Sequence, residues 1–489
     1  MIISRVSISA AIAAVVLIFS MTGISYQQEF FFDENGVLMQ EEEETEAEEE
    51  TEAEEETEAE EETEAEEETE AEEETEAEEE TECIAYDEEE NTIVINCDAS
   101  FPDVLPAIND PEILANLGNG EYLLNANLLV SDGVTFGMTS NGDSLRYLKI
   151  TGANGIIVHG RIEISGIIIT SWDTDNNSPV AQTETGSVPR AFINFRVSEG
   201  GFIEDSELAY LGYAVPPRRG IDLGESTDGP SHDLAIRNSR IHDNWMGFYS
   251  AGAYNIALDG NAFFNNIKYA IDPHTGTHNM TVSNNKIYGN KGIAVICSLD
   301  CYDVIFEGNE VYNNAGSGLM FSRATHDSII RNNLIYNQYG SAYPISIFES
   351  RNNEIYGNII SNSTTGISVH NPVALDEDGM SSGNMIYNNT FDNLQNGIRA
   401  SASIDNTLSS NIFGNVTDFQ YIMSMDATMD IENQNFDMIN IRGVEGANTL
   451  TIRNSGEIII DNSTAYNTDI QPYTEVLFSR SINVVSAPG

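Results

Sequence analysis

An asparagine-centred repeat in the second half of the chain indicates the fold class. The repeat recurs every 22–25 residues, with one step of 31, and its short apolar runs, split by Gly and Asn, show no helical period. Repeats of this length indicate a solenoid in which units of three short strands stack as coils. The sequence therefore predicts an all-β fold, a right-handed parallel β-helix. The repeat is anchored on Asn238, Asn261, Asn285, Asn309, Asn333, Asn358, Asn389 and Asn411.

The anchoring asparagines are interpreted as structural. Asparagine tolerates the left-handed backbone of a tight turn and can bond to the asparagine of the neighbouring coil. The β-helix is expected to fill residues 83–489 as one domain. Such a stack needs a cap at its N-terminal end, and the only helix-like pattern, at residues 101–118, is predicted to supply it. The 31-residue step predicts a loop around "NPVALDEDGMSSG".

Residues 1–82 are predicted to lie outside the β-helix. Residues 1–25 combine Arg5, an apolar run and small residues, a layout typical of a signal peptide, with an uncleaved anchor as the alternative. Residues 26–40 are interpreted as a linker. Residues 41–82 hold 29 glutamates, mostly in a TEAEEE hexad repeated six times. Like charge at this density opposes collapse, so a disordered segment is predicted.

The charge balance limits the classes of partner. The formal net charge is −60, and the chain contains only four lysines. Nucleic acids and anionic membranes require basic patches, so neither is an expected partner. No sequence motif predicts a metal or cofactor, although calcium is left open. The body is expected to be periplasmic, secreted or displayed on the cell surface, with association to the cell envelope through the N-terminus as an option.

The four cysteines suit an oxidising compartment. Cys83 and Cys97 flank a strand-like segment, and "CSLDC" places Cys297 and Cys301 four residues apart. We predict two local disulfides, Cys83–Cys97 and Cys297–Cys301.

The stretch "YAIDPH" (Tyr269–His274) places an acid, a proline and a histidine in a predicted strand. Side chains alternate across a strand, so Asp272 and His274 should share its outer face. Tyr249 should occupy the matching position one coil earlier, about 4.8 Å away. The same alternation, with Ile293 taken as the first inward residue of the following coil, points Ile296 outward. This outer face could hold a sugar chain.

Several unusual motifs resemble those of the periplasmic mannuronan C5-epimerases. They are "YLGY" (210–213), "MGFYS" (246–250), "YAIDPH" followed by "TH" (277–278), and "TSWD" (170–173), within a likeness that runs from about residue 120 to 400. The resemblance implies a right-handed β-helix that acts on alginate, with His274 as the catalytic base. The family has an acid where this chain has Thr275. It also has an arginine one coil after the histidine, at a position that the sequence assigns to Cys297.

C5 epimerisation removes a proton α to a carboxylate. It needs a base, a cation that neutralises the carboxylate as negative charge develops, and a proton donor on the opposite face of the sugar. His274 is the candidate base, with Asp272 to orient it or to contact the sugar, and Tyr249 is the candidate donor. Further candidate substrate contacts are Arg323, Ser322, His278 and Pro273, whereas His242 and His370 are expected to be structural.

Two other functions stay open at this stage. A polysaccharide lyase begins with the same proton abstraction and then expels the C4 oxygen. A non-catalytic glycan-binding protein of a surface or sheath would use the same outer face without chemistry. In each case the expected partner is an acidic or neutral polysaccharide.

Overall fold

The computed structural model describes the backbone of most of the body of the chain and side chains from Glu82 to Ile422. The described ranges are residues 82–140, 145–224, 229–338, 342–371 and 381–424, with separate strands before and after them. The predicted signal peptide and residues 43–81 of the acidic repeat lie outside the described residues. Gln28–Phe32 and Leu38–Glu42, in and just after the predicted linker, pair as antiparallel strands. No helix in the described ranges is long and apolar enough to cross a membrane.

Residues from Ile84 onward form coils whose strands stack in three parallel rows. The first row carries the outer face that contains Asp272 and His274. It comprises Thr92–Ile95, Asn127–Val130, Gly155–Val158, Phe192–Phe195, Ile221–Leu223, Phe248–Ala251, Ile271–His274, Val295–Ser298, Leu319–Ser322, Ile345–Phe348, the C-terminal parts of Ile359–His370, Thr390–Ser401 and Val416–Ser424, and Ile439–Arg442.

The second row follows the first within each coil. It comprises Ala99–Ser100, Thr135–Thr139, Arg161–Ser165, Gly200–Glu204, Leu234–Arg237, Tyr254–Asp259, His278–Ser283, Tyr302–Glu307, Ile329–Arg331, Glu354–Tyr356, Met385–Tyr387, Asn406–Ser409, Thr428–Glu432, Thr449–Arg453 and Glu475–Phe478.

The third row completes each coil. It comprises Glu121–Leu124, Tyr147–Thr151, Ile168–Asp173, Glu207–Ala209, Arg240–His242, Ala262–Phe264, Lys286–Tyr288, Glu310–Tyr312, Leu334–Tyr336, the N-terminal parts of Ile359–His370 and Thr390–Ser401, and Ile412–Phe413. Three short strands pair antiparallel with members of these rows: Ile84–Asp87, Leu114–Gly118 and Ser178–Pro179.

The core runs through the inside of the coils. Along the first row, Phe248, Ile271, Val295, Leu319 and Ile345 occupy successive in-register positions, and all of them are fully buried. Burying an aliphatic or aromatic side chain contributes about 1.5–3 kcal/mol. The alternation of strand side chains therefore fixes which residues face outward, because a one-residue slip would expose the whole column.

Buried asparagine ladders lie at all three corners of the coil. In the ladder before the third row, the Asn309 backbone N–H donates to Asn333 Oδ1 over 2.9 Å, and the Asn285 N–H donates to Asn309 Oδ1 over 3.0 Å. The structural interpretation of these residues is confirmed, with one correction. In the coil before Asn261 the ladder position is held by Ser239, whose N–H donates to Asn261 Oδ1, whereas the predicted anchor Asn238 has a positive φ in the turn before it.

The N-terminal end is capped by a helix that is shorter than predicted. It spans Phe101–Ile108, with Phe101 and Val104 buried against the first coils. Pro106 cannot continue the helical hydrogen bonding, and Asn109 ends the helix in the left-handed conformation. A turn follows the helix, and the predicted helical stretch ends in the strand Leu114–Gly118. Beside this cap, Cys83 and Cys97 form the predicted disulfide, with their Cα atoms 5.1 Å apart.

Candidate functional site

The outer face of the first row brings the predicted catalytic residues together. Tyr249 pairs in register with Asp272 in the next coil, and Ala251 pairs with His274. The rings of Tyr249 and His274 lie 5.8 Å apart between centroids. Asp222, one coil before Tyr249, extends the same column. Three successive coils of the first row thus contribute to one polar patch.

The structure corrects the register of the coil after His274. Ile271 pairs with Val295 rather than Ile293, and His274 pairs with Ser298 rather than Ile296. The reason is the length of the turn after the ladder asparagine, which places the first inward residue five positions after Asn266, Asn290 and Asn314. The position beside His274 is therefore held by a serine, and Cys297 faces the core.

His274 is half-buried, and its environment favours the neutral imidazole. Burial, reinforced by the positive charges of Arg323 and Arg219, lowers the pKa of His274 to about 4. Its Nδ1 lies 2.7 Å from the hydroxyl oxygen of Thr275. If Nδ1–H donates to that oxygen, Nε2 keeps a lone pair and can accept a proton. Thr275, which stands where the resembled family has an acid, thus fixes the orientation of the ring.

Asp272 is buried beside His274 on the same face. Burial raises the pKa of its carboxyl to about 7, against the opposing attraction of Arg219, Arg323 and Lys268. Burial similarly raises the pKa of Asp222 to about 6. Two carboxyl groups with raised pKa values in one outward column are unusual for a structural surface and typical of a functional site.

Arg219 is a central residue of the site that sequence reasoning missed. Its guanidinium carbon lies 3.8 Å from the centre of the Tyr249 ring, and its Nη1 lies 3.6 Å from Asp222 Oδ2. The signal in the sequence was the strand "IDL" after "PPRRG", whose aspartate stands one coil before Tyr249. Recognising that column would have pointed to the two arginines preceding it.

A fully buried arginine binds the backbone that leads to the turn carrying Arg219. Arg190 donates from Nε to the carbonyl of Gly212 over 3.0 Å and from Nη2 to the carbonyl of Asp243 over 3.0 Å. Its burial lowers the pKa to about 9, so the guanidinium stays charged at neutral pH. The backbone at Gly212, which leads to the turn that carries Arg219, is therefore tied to the backbone at Asp243.

Arg323 reaches the site from the other side. It follows the strand two coils after His274, yet its Nη2 donates to Ser298 Oγ over 2.9 Å, one coil back towards His274. Its charge acts on both Asp272 and His274. Guanidinium groups thus flank the Asp272–His274 pair on both sides. They supply a positive charge beside His274, although the chain has no arginine at the position that the sequence assigns to Cys297.

An apolar shelf adjoins the polar patch. Trp245, Met246, Tyr249 and Ala251 form a small cluster separate from the core, against which Ile267 and Tyr269 pack. Aromatic side chains with polar tips suit contact with sugar rings. The shelf and the charged groups together give the outer face both an apolar and an ionic surface.

The other three predicted substrate contacts, Ser322, Pro273 and His278, lie in three different places. Ser322 stays on the outer column, paired with Ser298. Pro273 pairs with Ser250 on the inward side and is buried, so it shapes the strand rather than contacting a ligand. His278 opens a second-row strand, where its ring stacks between Tyr254 and Tyr302 at 5.3 and 4.5 Å. The structure thus brings Ser322 to the outer column of His274 and does not bring Pro273 or His278 there.

The prediction of a Cys297–Cys301 disulfide is wrong. Both residues are free, fully buried cysteines. The Cys301 sulfur lies 3.4 Å from the carbonyl oxygen of Ser298 and 3.6 Å from that of Pro273, either of which can accept its proton. Burial raises the pKa of the Cys297 thiol. The pair packs beneath the Asp272–His274 strand as part of the core. Within the described ranges, no group of three or more His, Cys, Asp or Glu side chains is arranged to hold a metal ion.

Comparison with known proteins defines the fold class of the chain. Residues 219–376 match the family described as "Right handed beta helix region". The crystal structure of the periplasmic alginate epimerase AlgG superposes with a TM-score of 0.57 at 19% identity, over 81% of this chain and 85% of that one. The chain is thus a right-handed β-helix protein, as predicted.

Its particular resemblance is to mannuronan C5-epimerases. It is 29% identical over 165 residues to mannuronan C5-epimerase AlgG of Azotobacter vinelandii, which is 32% of this chain and 30% of the relative. It is 27% identical over 165 residues to the mannuronan C5-epimerase of Pseudomonas aeruginosa, again 32% and 30%. The match therefore spans less than a third of the length of these curated relatives.

Proposed function

We propose that this protein is an extracytoplasmic epimerase that inverts C5 of uronate units in an alginate-like polysaccharide, with His274 as the general base. The observation that carries the proposal is the convergence of a neutral imidazole, a tyrosine and two guanidinium groups on one outward face. Similarity to mannuronan C5-epimerases and to a periplasmic alginate epimerase supports it.

Each group has a role that the reaction needs. Nε2 of His274 accepts the C5 proton while Nδ1 is held by Thr275. Arg219 and Arg323 neutralise the sugar carboxylate as the electron pair from the C–H bond moves into it. Tyr249 donates a proton to C5 from the opposite face, after which solvent restores both groups. Asp272 contacts the sugar hydroxyls or holds the site in place.

Incubation with polymannuronate in deuterated solvent tests the proposal. Wild type is expected to exchange the C5 proton and to produce inverted units, both visible in an NMR time course. His274→Asn should slow exchange by about 10²–10⁴-fold, the usual loss on removing a general base. His326→Asn is the matched control, because His326 belongs to the stacked rings of the second row, against Tyr302.

The same samples separate the alternatives. A lyase would give an unsaturated product that absorbs in the ultraviolet. A glycan-binding protein would be retained on immobilised polymannuronate without exchange. Either result, or undiminished exchange in His274→Asn, would overturn the proposed function.

A further inference from the structure

A second polar cluster lies on the same outer face, several coils away from His274. The column of His274 continues in register through Ser298, Ser322 and Phe348 to His370. The neighbouring column, which contains Asp272, continues to Ser368 and then Arg399. Tyr343, just before the strand Ile345–Phe348, completes the cluster.

The members of this cluster contact one another. Arg399 Nη1 donates to the Tyr343 hydroxyl over 3.3 Å, and the His370 ring lies 5.7 Å from the Tyr343 ring and 5.2 Å from the Phe348 ring. Ser368 Oγ and His370 Nδ1 are 3.0 Å apart. Burial and the charge of Arg399 lower the pKa of His370 to about 4, so at neutral pH the imidazole is neutral beside the Arg399 guanidinium.

The strands between the two clusters share one outer face with both of them. The outward residues of these strands are uncharged: Ile296, Ser298, Met320, Ser322, Ser346 and Phe348. Glu349 lies in the turn after Phe348, as Arg323 lies in the turn after Ser322, so the uncharged surface is that of the strands alone. One guanidinium has five N–H donors in a fork, so Arg399 can hold a tyrosine and a carboxylate together.

The separation matches a polymer rather than a single sugar. Four strand spacings separate His274 from His370, and a fifth leads to Arg399, which gives about 19 and 24 Å. An extended chain on the order of six pyranose units, each about as long as one spacing, would cover both clusters. We propose that Tyr343, His370 and Arg399 form a distal subsite that binds the carboxylate of a uronate unit remote from the reacting one. This inference rests on the proposed function for its substrate class.

Calorimetry with mannuronate oligomers of three and eight units tests the subsite, using the full chain with His274→Asn so that the sugars are not altered. Only the octamer can bridge the two clusters, so it should bind more tightly than the trimer. Adding Arg399→Ala should weaken octamer binding about tenfold or more, the usual loss for a hydrogen bond to a charged group. The ratio of trimer to octamer Kd should then approach one. Tyr343→Phe should give a smaller loss in the same direction.

Two controls make the outcome specific. Arg237→Ala removes a second-row arginine paired with Glu204 and should keep the parental ratio. A neutral β-1,4-mannan octamer should show no affinity that depends on Arg399.

The subsite is overturned if Arg399→Ala, with its thermal unfolding unchanged, keeps the parental ratio of trimer to octamer Kd. It is also overturned if the neutral octamer loses as much affinity as the charged one. An Arg399-dependent octamer gain would support it even if no C5 exchange occurred, so this result and that of the epimerase test are separable.

Discussion

Asp272 and His274 are adjacent groups whose pKa values burial shifts in opposite directions. Asp272, with its pKa raised to about 7, holds a proton in the folded state that the unfolded chain releases above about pH 4. Its contribution to stability therefore falls as the pH rises from about 4 to 7. His274, with its pKa lowered to about 4, contributes stability that is present above about 6.5 and is lost as the pH falls towards 4. The two trends oppose each other in one pH window.

Asp272→Asn should remove the contribution of Asp272 to the pH dependence of stability. Asparagine cannot titrate, so the stability of the variant relative to wild type should increase as the pH is raised from about 4 to 7 and level off above it. The limiting slope is about 1.4 kcal/mol per pH unit for one proton. Thermal unfolding of both proteins across this range measures the difference. Asp132→Asn, in an exposed turn, provides the background, and a difference for Asp272→Asn that does not vary with pH would contradict the assignment.

At the scale of the element, each corner of the coil is fixed by hydrogen bonds that cannot be replaced by water. Asn309 is fully buried; its Nδ2 donates to the carbonyl of Val282 over 2.9 Å and to Asn333 Oδ1 over 3.0 Å. Its Oδ1 accepts from both the backbone and the side chain of Asn285. One side chain therefore satisfies groups in the coils on either side of it.

Asn309→Ala should cost several kcal/mol, because each buried polar group left without a partner costs about 1–3 kcal/mol. Chemical denaturation, followed by circular dichroism, measures the loss. Lys286→Ala changes an exposed third-row residue of the neighbouring coil and should stay within about 0.5 kcal/mol of wild type. A loss for Asn309→Ala no larger than that of Lys286→Ala would show that the ladder does not stabilise the stack.

The same elements show what the sequence could and could not predict. Asparagine spacing was sufficient for the fold, because a buried ladder must repeat with the coil. Placement of Asp272, His274 and Tyr249 followed from strand alternation. The Cys297 assignment failed because Ile293 and Ala294, which lie in the turn after Gly292, were taken as strand residues, whereas the strand begins at Val295. Arg219 and the reach of Arg323 escaped prediction because long side chains on turns cross between coils, which no periodicity encodes.

At the scale of the whole molecule, a strongly acidic protein is proposed to bind a polyanion. Its net charge is −60, and residues 41–82 contribute 29 glutamates to it. Outside that segment the chain still has 51 acidic against 20 basic residues, so attraction for a polyuronate depends on the few arginines of the first row. The net negative charge of the protein therefore repels a polyuronate at long range, whereas the arginines attract it at short range.

Deleting residues 41–82 should separate these two effects. At about 10 mM salt, where charges interact over about 30 Å, removing 29 like charges should raise the association rate constant for a mannuronate octamer. At about 150 mM salt, where the range is about 8 Å, the difference should largely vanish.

The melting temperature of the β-helix should stay within a few degrees, since a segment of this charge density is not expected to pack against it. Stopped-flow binding and thermal unfolding measure the two quantities. Slower association at low salt would mean that the glutamates assist substrate capture, and a large drop in melting temperature would mean that the segment is part of the fold.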